Sequence, residues 1–151
     1  MLSELGYRNV KTYIQSGNAI FDADDTPNIV RESIQAAFQS TFKFGSEIVL
    51  RTKDEIHSTI NMFPFSEEEI KAAVASNFEV EHLYFYFADS MLSDSVIHTL
   101  NASYGKPDKL SAGPGGDYLL CYKSVRDSTA IGRLYYLKYA CPKTARFSFE
   151  T

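Results

Sequence analysis

Residues 10–22 place the strongest constraint on the fold. Two short runs rich in β-branched and aromatic residues lie on either side of Ser16, Gly17 and Asn18. Small residues of this kind tolerate the positive φ angles that a tight turn requires. The stretch therefore predicts a β-hairpin. Because side chains alternate along a strand, Tyr13 and Gln15 are expected on one face of it.

The polar residues at this turn form the best candidate site in the chain. The hairpin brings Gln15, Ser16 and Asn18 to one rim, and Tyr13 lies on the same face as Gln15. Ser and Asn also occur at turns because they form hydrogen bonds with their own backbone. Two interpretations therefore stay open, a turn without further function and a ligand-binding rim.

Composition limits the class of protein. The chain has 151 residues, of which 44% are hydrophobic, enough for one sizeable core. No apolar run is long enough to cross a bilayer, and no basic region followed by an apolar run opens the chain, so we expect a cytoplasmic protein without a membrane partner. Cys121 and Cys141 are not in a Cys-x-x-Cys motif, and the three histidines are widely spaced, so neither a metal site nor a cofactor is expected.

Charge is distributed unevenly along the chain. Residues 1–103 carry 7 Lys+Arg against 15 Asp+Glu, whereas residues 104–151 carry 8 against 4, so the net charges are −8 and +4. The basic part also holds six of the ten tyrosines. Basic groups among aromatics can bind phosphates and stack on bases. The alternative is an ordinary sheet with half-buried tyrosines and solvated lysines.

Hydrophobic periodicity and turn signals predict the remaining elements. The helix after Pro27 should bury Val30, Ile34 and Phe38 against a sheet face that holds Ile14 and Ile20 or Phe21. The other predicted elements are strands at 47–51, 80–88 and 144–150, helices at 53–62, from 66 onward, at 92–103 and at 129–139, and a hairpin turn at residues 113–116.

The order of these elements predicts the fold class. It reads α-β-β-α-β, two short helices, and then β-α-β-β-α-β, which is the ferredoxin-like order. We therefore expect an α+β fold made of two ferredoxin-like (βαββαβ) units, residues 1–76 and 77–151, packed as one compact body. The first unit lacks its opening strand, which would lie between the strands at 19–22 and 47–51. We accordingly expect either further residues upstream of Met1 or, if the chain is complete as given, a homodimer that borrows a strand.

Residues 5–18 resemble the signature of DUF1697, a family of uncharacterised bacterial proteins. Members begin with an additional apolar strand and an Arg-Gly-Ile-Asn-Val-Gly-Gly type of loop. Near the other end, Thr144, Ala145 and Arg146 match the family pattern, but Phe147 and Ser148 stand where members have Asn-Trp. The resemblance implies a ferredoxin-like α+β fold and no established activity.

Two functions follow as hypotheses. The first is a binding module for a phosphate-bearing small molecule or nucleic acid, in which Lys143 and Arg146 would contact the anion beside Tyr13, Gln15, Ser16 and Asn18. The alternative is an enzyme acting on an anionic substrate, with Tyr13 or Asp22 as a proton carrier and its reaction unknown.

Overall fold

Two compact units make up the chain in the computed structural model, residues 1–50 and residues 51–151. The structure describes residues 1–13, 18–89, 92–103 and 107–129, together with the backbone of residues 146 and 147. The elements are β1 (Arg8–Tyr13), β2 (Asn18–Asp22), α1 (Pro27–Phe42), α2 (Lys53–Asn61), α3 (Glu67–Ser76), β3 (Leu83–Phe87), α4 (Asp94–Ser103), β4 (Lys109–Gly113), β5 (Gly116–Leu120) and β6 (Arg146–Phe147). The predicted α+β class is confirmed. The division at residues 76 and 77 was drawn from element order alone and stays a prediction.

The unit of residues 1–50 contains a two-stranded antiparallel ribbon and one long helix. β1 pairs with β2 as the hairpin prediction requires. α1 begins at Pro27, whose fixed φ suits the first helical position, and Val30 and Ile34 on it are buried. Phe38 is only half-buried, and Ile20 is 55% exposed. The alternative with Ile20 on the packed face is therefore wrong, because this residue faces solvent. Phe21, the other alternative, is half-buried, and Ile14 lies outside the described residues.

The strand predicted at residues 47–51 does not form. Residues 46–52 have no regular secondary structure. A strand exists only where a neighbouring strand accepts and donates its backbone hydrogen bonds, and within the described ranges no strand pairs with this segment. Local β-propensity, which produced the prediction, cannot supply that partner.

The unit of residues 51–151 is built on a four-stranded sheet with the order β4-β5-β3-β6. All three neighbouring pairs are antiparallel. This is the strand order expected of a β-α-β-β-α-β unit that starts at β3, with α4 as the first crossover. Residues 130–139 of the second predicted helix lie outside the described residues.

The glycine-rich turn between β4 and β5 forms as predicted. Gly113 pairs with Gly116 across the two strands, which leaves Pro114 and Gly115 as the turn. Gly115 has a φ of +75°, a conformation that glycine adopts without strain. A Cβ on Gly116 would lie only 2.1 Å from the carbonyl oxygen of Tyr86, so this position needs glycine for close strand packing.

Both faces of the four-stranded sheet are covered. On one face, Tyr86 and Leu119 pack with Leu100 of α4 in the main buried cluster. On the other face, the Tyr118 hydroxyl donates a 2.6 Å hydrogen bond to the carbonyl of Thr59 in α2, and its ring packs edge-on against Phe63. α2 and the residues that follow it therefore cover part of the sheet face that α4 leaves open.

Candidate functional site

A β-bulge shapes the ribbon of β1 and β2. Arg8 pairs with Asp22 and Lys11 pairs with Ile20, so β1 contains one more residue than β2 between these pairs. Asn9 takes up the extra residue with a φ of +53°, and its side chain donates a 2.6 Å hydrogen bond to Asp22. Because an extra residue shifts the alternation of side chains, Arg8 and Lys11 come to the same face although they are three positions apart.

The register brings four residues of the hairpin onto one face, which we call the hairpin face. Tyr13 lies directly opposite Asn18, and Lys11 lies directly opposite Ile20. Directly opposed residues share a face, and residues two apart on one strand share it as well. Tyr13 is 53% exposed and Ile20 is 55% exposed. The hairpin face therefore exposes an aromatic ring, an aliphatic side chain and an ammonium group to solvent, and the half-buried Asn18 lies beside them.

The charges at the far end of this face are largely paired. Arg8 donates two hydrogen bonds to Asp24, of 2.7 and 2.9 Å. This hydrogen bonding and the opposite charge lower the pKa of Asp24 and raise the pKa of Arg8. Within the described residues, Lys11 makes no ion pair with any carboxylate. Among the described residues of the hairpin face, Lys11 is thus the cation that no carboxylate pairs with.

The structure describes only some of the predicted site residues. Tyr13 and Asn18 lie directly opposite each other in the ribbon. Gln15, Ser16 and Lys143 lie outside the described residues, as does the side chain of Arg146. Whether they contribute to one site stays a prediction.

Four aromatic rings on the sheet of the second unit are buried, those of Phe85, Tyr86, Phe87 and Tyr118, whereas Tyr84 is half-buried. Phe85 and Tyr118 are each 1% exposed, and their rings pack against each other with centroids 4.7 Å apart. Burial also raises the pKa of Tyr118. A buried ring cannot stack on a base, so these residues favour the interpretation of an ordinary packed sheet.

His82 and Cys121 have structural environments. Both ring nitrogens of His82 lie 2.7 Å from backbone carbonyl oxygens, those of Cys121 and Asn77. Cys121 is fully buried, and this burial raises the pKa of its thiol to about 12. In the described ranges no group of three His, Cys, Asp or Glu side chains is placed to hold a metal ion.

Sequence reasoning missed Lys11 as a candidate site residue, although the alternation of β1 already placed it beside Tyr13. Lys11 stands out because the neighbouring charged groups already have partners. Arg8 binds Asp24, and Asp22 accepts a hydrogen bond from Asn9 at the bulge. The one sequence signal for the bulge is Asn9, since Asn tolerates positive φ better than most residues.

The ribbon, the helices and the antiparallel sheet define an α+β protein with an exposed polar and aromatic hairpin face. The chain belongs to DUF1697, a family of proteins of unknown function, whose model matches residues 1–118. A similar solved structure is that of the conserved bacterial protein SP0830 from Streptococcus pneumoniae, with a TM-score of 0.63 and 20% identity over 97% of this chain and 78% of that chain. This likeness shows the fold alone.

No curated protein matches the chain. Among the described helices, none combines the length and the apolar character needed to cross a membrane.

Proposed function

We propose that this chain is a binding module for a phosphate-bearing ligand and that the hairpin face takes part in binding. The observation that carries the proposal is the register of the ribbon, which sets Tyr13 directly opposite Asn18 and puts Lys11 on the same face. Among the described residues, no carboxylate forms an ion pair with the Lys11 ammonium group. An exposed aromatic ring provides a stacking surface, and an ammonium group provides a point charge for a phosphate.

The residues of the adjoining turn complete the proposed site. Gln15 and Ser16 would add hydrogen-bonding groups beside Asn18. We further propose that the protein is bacterial and works in the cytoplasm, where Cys121 would stay a reduced core thiol. We also propose that residues 77–151 form a ferredoxin-like unit, and the strand order β4-β5-β3-β6 supports this.

The proposal is tested by calorimetric titration of the protein with inorganic phosphate and with ribose 5-phosphate. Lys11→Gln removes the charge but keeps a polar chain of similar length, and we expect it to weaken binding of both compounds by about tenfold. The matched control is Lys53→Gln, which removes an exposed lysine in the other unit and should change neither affinity. Equal affinities for wild type and Lys11→Gln would refute a role for the hairpin face.

The enzyme alternative has less support. Asp22, one of its two proton carriers, accepts the hydrogen bond of Asn9 and thereby holds the bulge. The structure therefore accounts for this carboxylate without a reaction.

A further inference from the structure

The charge of the hairpin face limits how many phosphates it can hold. Of its basic neighbours, Arg8 is committed to Asp24 through two hydrogen bonds. Asp22 lies on the same face as Ile20, since the two are two positions apart on β2. Lys11 is thus one available positive charge with a carboxylate nearby. One ammonium group neutralises about one phosphate.

The surrounding unit is acidic. Residues 1–50 carry 4 Lys+Arg against 6 Asp+Glu, a net charge of −2. Asp22 is the last residue of β2, and Asp24 and Asp25 follow directly after the strand. A nucleic-acid strand carries one negative charge per nucleotide, so its further phosphates would meet carboxylates instead of cations. A ligand with a single phosphate group avoids this repulsion.

The apolar part of the face lies beside the cation. Lys11 and Tyr13 are two residues apart on β1, so their Cα atoms are separated by about 6–7 Å along the strand. Ile20 lies diagonally across from Tyr13, within reach of the same planar group. The face therefore matches a ligand in which a flat ring and a phosphate are joined by a short linker, which in a nucleotide is the sugar.

We infer that the hairpin face binds a nucleoside monophosphate, with the base against Tyr13 and Ile20 and the phosphate on Lys11, and that it does not bind a nucleic-acid strand. This inference rests on the proposed function and specifies its ligand class. It assigns different parts of one ligand to different side chains, which makes it testable by removing each part in turn.

The experiment titrates the folded full chain with adenosine 5′-monophosphate, adenosine, ribose 5-phosphate and a single-stranded DNA of ten nucleotides. We expect the monophosphate to bind more tightly than either of its halves. Tyr13→Ala should weaken the monophosphate by at least about fivefold and leave ribose 5-phosphate unchanged. Lys11→Gln should weaken the monophosphate and leave adenosine unchanged. The control Thr12→Ala lies on the opposite face of the ribbon and should alter none of these affinities.

The outcomes separate the inference from the proposed function. The inference would be overturned if the ten-nucleotide DNA bound more tightly than the monophosphate and if the slope of its log affinity against log salt concentration corresponded to several neutralised phosphates instead of about one. The proposed phosphate-binding module would survive that result. Equal losses for ribose 5-phosphate in Tyr13→Ala and Lys11→Gln would also overturn the inference, because the two residues would then not contact different parts of the ligand. If no phosphate compound bound, both the inference and the proposed function would be refuted.

Discussion

Gly116→Ala should destabilise the second unit strongly. A Cβ at this position would lie 2.1 Å from the carbonyl oxygen of Tyr86 and 2.8 Å from two ring carbons of Phe85. Ordinary contacts of this kind are about 3.5 Å. The carbonyl belongs to β3, which pairs with β5, and the Phe85 ring is 1% exposed, so neither can move into free space. Relieving the contact therefore requires the two central strands to separate by about 1 Å.

We expect a loss of about 3 kcal/mol, the upper end of the usual cost of overpacking. For a chain of this length, that corresponds to a fall in melting temperature of about 6–12 °C. Urea unfolding followed by circular dichroism measures the loss. The control is Gly45→Ala, where the nearest atom to the new methyl group is Oε1 of the Gln39 side chain at 3.4 Å, and where we expect a change within about 0.5 kcal/mol. A loss below about 1 kcal/mol for Gly116→Ala would show that β3 and β5 do not approach in this way.

Three further predictions follow from single residues. Phe38→Ala should cost about 1–3 kcal/mol in urea unfolding, less than for a fully buried ring, because Phe38 is half-buried; a loss of 5 kcal/mol would mean that it lies in the core. Cys121 should resist alkylation at pH 8 in a Cys141→Ser background and react after unfolding, because burial raises its thiol pKa to about 12; rapid reaction of the folded protein would contradict its burial. The hydrogen bond from Lys109 lowers the pKa of Glu69, so the stabilising effect of this carboxylate should be present above its unfolded pKa and be lost as the pH falls through the folded value. The stability difference between wild type and Glu69→Gln, which keeps the helix cap, should therefore disappear in acid, and a difference that persists at pH 2 would refute this cause.

Local signals in the sequence identified most of the elements. Thr52 with Glu55 and Ser66 with Glu69 form capping boxes at the starts of α2 and α3, and both helices begin at the next residue. The turn at residues 113–116 followed from its glycines and Pro114. These predictions succeeded because caps and turns are decided by hydrogen bonds and backbone angles within a few residues.

The errors concern residues whose strand pairing or burial depends on partners distant in the sequence. Residues 47–51 have the composition of a strand but lack a neighbouring strand in the described part of the chain. Ile20 is an aliphatic residue in a strand, which suits a core, yet it is 55% exposed. Neither outcome is encoded within a short window of sequence, because pairing and burial are properties of the surface that an element meets.

The same distinction holds for the candidate site. The sequence alone determined that Tyr13 and Asn18 flank a hairpin turn, since alternation and turn chemistry are local. Only the tertiary structure decided that Lys11 is a cation without an ion pair among the described residues, whereas Arg8 has one. A bulge pairs Arg8 with Asp22 across the ribbon, and the Arg8 guanidinium donates hydrogen bonds to Asp24. The tertiary structure also decided that Tyr118 is a buried packing residue and no stacking surface, because α2, nearly sixty residues earlier in the chain, covers its face of the sheet. Contacts between residues so far apart in sequence arise from the fold as a whole, so no local pattern specifies them.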